Sequence, residues 1–309
     1  MGIKIIFMGT PEFAVPSLTR LFEAGYEIAA VVTAPDKPAG RGMQLTESAI
    51  KIYAKSKNLK ILQPEKLKNP EFLEELKLIG ADLQVVVAFR MLPESVWNLP
   101  PLGTINLHSS LLPQYRGAAP INWVVINGER ETGLTTFKLQ HEIDTGDILL
   151  QKKIKIGDDE SAGSLHDRMM EEGAGLLLNT VNQLTDGSLK ETPQASGIAL
   201  TGALRYAPKI FTETCEIKWD NSCKTIFNMI RGLSPYPAAF TFLNGKKLKI
   251  YKGEIEYTGI LKEPGNMETD RKTFMKFSCN DGFISLKEIQ LEGKKRMAIA
   301  DFLRGWRES

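Results

Sequence analysis

Three short apolar runs limit what this chain can fold into more than any other feature. Ile3–Met8 is broken only by Lys4, and Tyr26–Thr33 and Ala81–Phe89 (ADLQVVVAF) are of the same kind. A strand with one wet face alternates apolar and polar residues, so such runs read as inner parallel strands buried on both faces. Helical patterns fill the gaps. Gly9-Thr10-Pro11 turns the first run into a helix, with Thr10 as N-cap and Pro11 at the first helical position. Ala14, Leu18, Leu21 and Phe22 form its apolar stripe and Gly25 ends it; Glu47–Lys57 and Asn69–Ile79 read as further helices around a short strand at Lys60–Leu62. Strand and helix alternating at this rate predict an α/β fold, a doubly wound and mostly parallel Rossmann-like sheet. The first turn has one glycine, Gly9, and no G-x-G-x-x-G, which disfavours a dinucleotide.

A second buried strand, Gly103–Leu107, follows the run at 81–89, and it ends in Asn106 and His108. Two residues apart on a strand, these side chains share a face. In open parallel sheets the carboxyl ends of the strands are where ligands bind. The next segment, Ser110–Gly117, is bracketed by Pro113 and Gly117 and reads as a rigid, exposed loop. Ala119–Ile126 is predicted helical. Thr135–Leu139 and Asp147–Lys153 read as strands flanking the acidic loop HEIDTGDIL at 141–149, and Ser161 opens a long helix striped by Leu165, Met169, Leu176, Val181 and Leu184. Of the three histidines, His141 and His166 are read as structural. Further upstream, residues 35–44 gather two prolines, two glycines and two cations into a long, exposed, mobile loop at the end of the second strand.

The character changes near 189. The 309 residues divide into a first domain at 1–188, a polar, aperiodic linker at 189–206 and a second domain at 207–309. The second domain opens with an amphipathic helix at Asn221–Arg231. Short alternating strands follow at Ala238–Leu243, Lys247–Glu254, Thr273–Phe277, Phe283–Glu288 and Met297–Phe302, the pattern of a small OB-like β-barrel. From Ala207 onward Lys and Arg number 18 against 13 Asp and Glu, a net +5, while the rest carries 21 against 24, a net −3. That imbalance points the second half toward a polyanion. Lys246, Lys247, Lys249 and Lys252 are its densest cationic patch. Cys215, Cys223 and Cys279 form no CxxC pair, which argues against a disulfide framework or zinc site and for a reducing, cytoplasmic setting. The N-terminus runs straight into the first strand without a longer apolar run or cleavage signal, so no leader is expected, and no stretch nears the roughly 20 apolar residues of a membrane helix.

The Asn106-x-His108 strand end, the SLLPQYRGAAP loop and Asp144-Thr145-Gly146-Asp147 together resemble the folate-dependent formyltransferases, in their order and spacing. The likeness runs from Phe7-Met8-Gly9-Thr10-Pro11 to Asp301-Phe302-Leu303. Two departures stand out: Ala88–Pro93 is shorter than the family's Ala-Tyr-Gly-x-x-Leu-Pro, and Ser109 replaces a frequent glycine. The resemblance implies Asn106, His108 and Asp144 as the catalytic set, and Ser110, Leu111, Leu112 and Pro113 as the contact for a 10-formyltetrahydrofolate co-substrate. It implies an initiator methionyl-tRNA as acceptor, for translation initiation, with Lys37 and Arg41 near its acceptor stem and Lys246, Lys247 and Lys249 on its phosphates. Arg116 is equally suited to a phosphate or to tying its loop to a carboxylate. No metal is required, a monomer is expected, and an amino sugar nucleotide is the alternative acceptor. An RNA-binding module with an inert core and a formyltetrahydrofolate hydrolase are the remaining readings.

Overall fold

A computed structural model describes residues 2–39, 44–194, 203–258 and 262–306. The chain forms two compact units, one of residues 1–116, 133–154 and 166–206, the other of 117–132, 155–165 and 207–309.

The first unit is built on the predicted sheet. Its strands are β1 (Lys4–Gly9), β2 (Glu27–Val32), β5 (Ile61–Leu62), β6 (Leu83–Val87), β7 (Thr104–His108), β9 (Glu131–Lys138) and β10 (Ile148–Lys155), in the order β10-β9-β7-β6-β1-β2-β5. β1, β2, β5, β6 and β7 pair in parallel, and β9 returns antiparallel beside β7. The runs lack alternation because both faces are covered. Ile6 and Met8 pack with Val32, Phe72, Leu76 and Val86 on one side, while Ile5 and Phe7 are fully buried on the other.

The first helix begins later than its predicted cap. Pro11 precedes a single 3-10 turn at Glu12–Ala14, and α1 runs from Val15 to Glu23 with Pro16 in its first turn. A helix begun at Pro11 would carry Pro16 in its interior, where the ring meets the preceding turn at a cost of about 3 kcal/mol. Gly9 makes the turn possible, since a Cβ there would lie 2.7 Å from that of Ala14 and 3.1 Å from the Val87 carbonyl oxygen. α2 (Ala49–Ser56) and α3 (Pro70–Ile79) start on Ser48 and Asn69, whose side chains accept the Lys51 and Glu71 amides. Beyond β6, α4 (Glu94–Trp97) is one short turn.

The segment at 35–44 is not a plain loop. Its arms pair as an antiparallel ribbon, β3 (Lys37–Ala39) with β4 (Gln44–Thr46), and Pro38 is tolerated because it lies on an edge. Asp36 anchors the ribbon's foot: its carboxylate takes Lys51 Nζ at 2.5 Å and Gln63 Nε2 at 2.9 Å, and these bonds hold it below the usual carboxylate range.

The second unit contains α5 (Pro120–Ile126), which follows the two-residue strand β8 (Arg116–Gly117). Most of α6 (Ala162–Asp186) belongs to the first unit, and β11 (Tyr206–Ala207) pairs with β8. α5 packs on α7 (Cys223–Leu233), closely enough that Asn122 Nδ2 donates to the Gly232 carbonyl at 2.8 Å. The antiparallel sheet runs β12 (Ala239–Leu243), β13 (Lys246–Glu256), β16 (Gly282–Leu291), β15 (Met275–Cys279) and β14 (Met267–Thr269), and β17 (Met297–Ala298) flanks β16. Register shifts at Ile250–Gly253 bend β13, which curls the sheet into a half-barrel. The last predicted strand gives way to a helix: only Met297–Ala298 pair, and α8 (Ile299–Gly305) follows. Ile299, Phe302 and Leu303 are buried at helical spacing, a pattern a short apolar run leaves ambiguous.

Candidate active site

β7 delivers Asn106 and His108 to one face at the carboxyl edge of the sheet, as its period requires. Asn106 is half-buried and His108 is 7% exposed. The ring's Nε2 lies 3.0 Å from the Tyr115 carbonyl oxygen. That oxygen can only accept, so Nε2 carries a proton and Nδ1 is the nitrogen left for chemistry. Nδ1 stands 3.9 Å from Asp144 Oδ2. This is longer than a direct hydrogen bond, and an atom about 2.8 Å from each can sit off the line between them. Phe137, opposite Asn106 on β9, presents its ring edge-on to the imidazole at 6.4 Å and 84°. Asp144 occupies the turn between β9 and β10 at φ 55°, a left-handed conformation that Asp tolerates better than most residues.

The loop after β7 is buried rather than exposed. Ser110, Leu112 and Tyr115 keep 0, 3 and 5% of their surface, and Pro113 is buried too; Leu111 and Gln114 are half-buried. A buried loop must satisfy its polar backbone internally, and Thr135, which faces His108 across the ladder, does most of it. Its hydroxyl donates to Ser110 O at 2.7 Å and accepts Leu112 N at 3.1 Å and Gln151 Nε2 at 2.9 Å. Gln151 Nε2 also donates to Leu112 O at 2.8 Å. Ser110 Oγ is occupied by the Gln114 carbonyl at 2.6 Å, and Tyr115 N donates to Arg205 O at 2.7 Å. Arg116 settles on neither option left open: its Nε and Nη2 donate to the Gln194 amide oxygen at 3.2 and 2.6 Å. Gln194 and Thr192, read as linker, lie against this same unit, and Thr192 exchanges main-chain bonds with Ile148.

Beyond β5 and β6 lies a groove of about 720 Å³ lined by Glu65, Lys66, Leu73, Arg90, Met91 and His141, among others. Arg90 shapes it by donating to the Glu65 carbonyl at 2.8 Å and to that of Pro64, and burial pulls its guanidinium below the ordinary range. Sequence reasoning did not assign this groove, although Arg90 fell in the departing segment; His141, read as structural, is exposed on its wall. Thr135 and Gln194 were also missed.

The cationic residues are spread over both units. Lys37 is exposed on β3, and Arg41 lies outside the described residues. On β13 Lys246 is exposed and Lys247 and Lys249 are half-buried, the last two sharing a strand face and lining a recess of about 320 Å³. Lys247 Nζ sits 4.2 Å from the centre of the Phe240 ring, and Lys249 Nζ donates to Pro237 O at 3.2 Å. Among the described residues, no cluster of three or more His, Cys, Asp or Glu could hold a metal, and no helix is long and apolar enough to cross a membrane.

Comparison with known proteins defines the family. Residues 3–181 match the formyl transferase family, and residues 209–307 match the formyl transferase C-terminal domain. The chain belongs to the formyl transferase family. Within it, methionyl-tRNA formyltransferases are among the curated relatives that match nearly end to end. That of Parabacteroides distasonis is 53% identical over 99% of this chain and 96% of its own length, and that of Phocaeicola vulgatus 55% over 99% and 97%. Solved structures share the fold at lower identity. HypX from Aquifex aeolicus, in complex with tetrahydrofolic acid, is 18% identical with a TM-score of 0.67 over 100% of this chain and 49% of its own. The N-formyltransferase from Helicobacter canadensis, with folinic acid and dTDP-3-aminofucose, is 18% identical with a TM-score of 0.65 over 96% and 100%.

Proposed function

We propose that this enzyme transfers the formyl group of 10-formyltetrahydrofolate to the α-amino group of methionyl-initiator tRNA, and that Asn106, His108 and Asp144 carry the reaction. Near-full-length identity of about 50% to methionyl-tRNA formyltransferases supports the choice of acceptor. One observation carries the chemistry: an imidazole with Nε2 committed to a carbonyl and Nδ1 held 3.9 Å from a carboxylate. The α-amino group, with a pKa of about 7.7 to 8.0, is partly unprotonated near neutrality and attacks the formyl carbon directly. As the carbon–nitrogen bond forms, the carbonyl pair moves to oxygen. The Asn106 amide N–H and the Nδ1–H of a protonated His108 stabilise that oxyanion. On collapse the bond to folate N10 breaks and N10 takes up the proton the amine releases, relayed by Asp144 through an intervening water.

The groove beside Arg90 and His141 has the size for a pterin. Leu111, Leu112 and Pro113 serve as the remaining folate contact, whereas Ser110 acts by holding the loop in shape. Lys37 and Arg41 serve the acceptor stem, and Lys246, Lys247 and Lys249 its phosphates. In this reading residues 1–188 form the catalytic domain, 189–206 the connection and 207–309 the RNA-binding domain, in a cytoplasmic monomer.

The amino sugar nucleotide is the weaker acceptor, because the proteins that use one are matched here at far lower identity. The test offers labelled 10-formyltetrahydrofolate with methionyl-tRNA, with an amino sugar nucleotide, or with water alone. Label is expected on the tRNA; label on the sugar, or release as formate, contradicts the proposal.

A further inference from the structure

Gln194 was not singled out by the sequence, yet it is 97% withdrawn from solvent, at 3% exposure, and every polar atom of its side chain is occupied. Its Nε2 donates to the Asp144 carbonyl at 3.0 Å and to that of Gly146 at 2.7 Å. Its Oε1 accepts both Nε and Nη2 of Arg116, at 3.2 and 2.6 Å. Arg116 directly follows Tyr115, whose carbonyl takes the His108 Nε2 proton. The contacts therefore close a ring: imidazole, Tyr115 carbonyl, Arg116 guanidinium, Gln194 amide, Asp144 backbone, Asp144 carboxylate, and back to the imidazole at 3.9 Å. Flanking bonds fix the amide in turn. Thr192 N donates to Ile148 O at 2.9 Å and Ile148 N returns to Thr192 O at 2.8 Å, which seats the Gln194 backbone beside β10.

We infer that Gln194 is a positioning residue for formyl transfer, setting the distance between the Asp144 carboxylate and the His108 ring. The inference rests on the reading of those two as the catalytic pair. Only an amide satisfies both ends of the contact, because two carbonyl oxygens need donors while the guanidinium needs an acceptor. A glutamate would keep Arg116 but set its oxygens against two carbonyls. A methionine would fill the space and bind neither. Asp144 stands at a left-handed φ, and the two donated bonds hold the backbone of the turn that carries its carboxylate.

The experiment measures transfer from labelled 10-formyltetrahydrofolate to methionyl-tRNA by the full chain in a double-mutant cycle of Gln194→Met with Asp144→Asn. A displacement of about 1 Å from productive geometry costs about 100-fold. Gln194→Met and Gln194→Glu are each expected to lower kcat by about that factor, with KM for both substrates within about twofold of wild type. In the Asp144→Asn background, adding Gln194→Met is expected to change the rate less than about twofold, because the group it positions is gone. A merely structural role multiplies the two losses, and that result overturns the inference; so does a Gln194→Met effect confined to KM. If Gln194→Met does not fold, Gln194→Glu, which keeps volume and the Arg116 contact, is taken through the same cycle. Wild-type transfer by Asp144→Asn alone removes the catalytic pair itself, and so is distinguishable from failure at Gln194.

Discussion

Thr135→Val removes one hydroxyl and nothing else of size, and the consequences can be worked from its contacts. The side chain is fully buried, donates one hydrogen bond and accepts two, which exhausts what a hydroxyl usefully offers. Valine leaves the Leu112 amide and the Ser110 carbonyl without their partner. Gln151 loses less, since it is exposed and retains Leu112 O. An orphaned buried main-chain group costs about 1–3 kcal/mol. Two of them, with some relaxation, give about 2–4 kcal/mol for the first unit, or a fall of about 4–16 °C at about 2–4 °C per kcal/mol. Thr135→Ser is the control: it keeps the hydroxyl, loses a methyl and costs about 1 kcal/mol. The loop freed by valine also carries the carbonyl that orients His108, so the transfer rate should fall with stability for Val and hold for Ser. Thermal melts followed by far-ultraviolet circular dichroism, with transfer rates on the same preparations, provide the readout. A valine variant that melts within about 2 °C of the serine variant refutes the claim that this hydroxyl holds the loop.

Cys223 and Cys279 are buried in the core of the second unit; burial chiefly raises both thiols, Cys279 to about 11. Neither should react with iodoacetamide at pH 8 in the folded chain, and both should react in denaturant, as peptide mass spectrometry will report. Because the folded value of Cys279 exceeds the free thiol's value of about 8.5, its stabilising contribution is whole below that pH and is lost as pH climbs toward 11. Denaturation midpoints taken between pH 8 and 11 should fall accordingly. Lys247→Ala and Lys249→Ala should each reduce the slope of log affinity for methionyl-tRNA against log salt by about 1, measured by filter binding; an unchanged slope takes that lysine off the phosphates.

What the sequence made legible was whatever depended on local period. Ile3–Met8 and Ala81–Phe89 announced a sheet buried on both faces, and the two-residue spacing of Asn106 and His108 announced a shared face. Asp144 was reachable only through resemblance, because nothing local says that a turn after β9 comes back to within 3.9 Å of β7. Gln194 was hidden by distance. It lies 50 residues beyond Asp144, in a polar stretch with no period, and only the fold turns it inward. The loop after His108 was misjudged for a related reason: Pro113 and Gly117 signal a turn but not its exposure, which is set by Thr135 and Gln151 from other strands. Pro38 masked the β3–β4 ribbon, and the apolar run at 297–302 was too short to separate strand from helix.

The central claim is that the His108 ring, held through Nε2 and facing Asp144 through Nδ1, carries the chemistry and not the binding of tRNA. Single-turnover transfer by His108→Ala, with methionyl-tRNA affinity measured on the same protein, tests it most directly. Loss of one donor to a developing oxyanion costs about 100- to 1000-fold, so transfer is expected to fall at least that far with affinity inside about twofold. A variant that still formylates at the wild-type rate, or that loses activity only through weakened tRNA binding, contradicts the account.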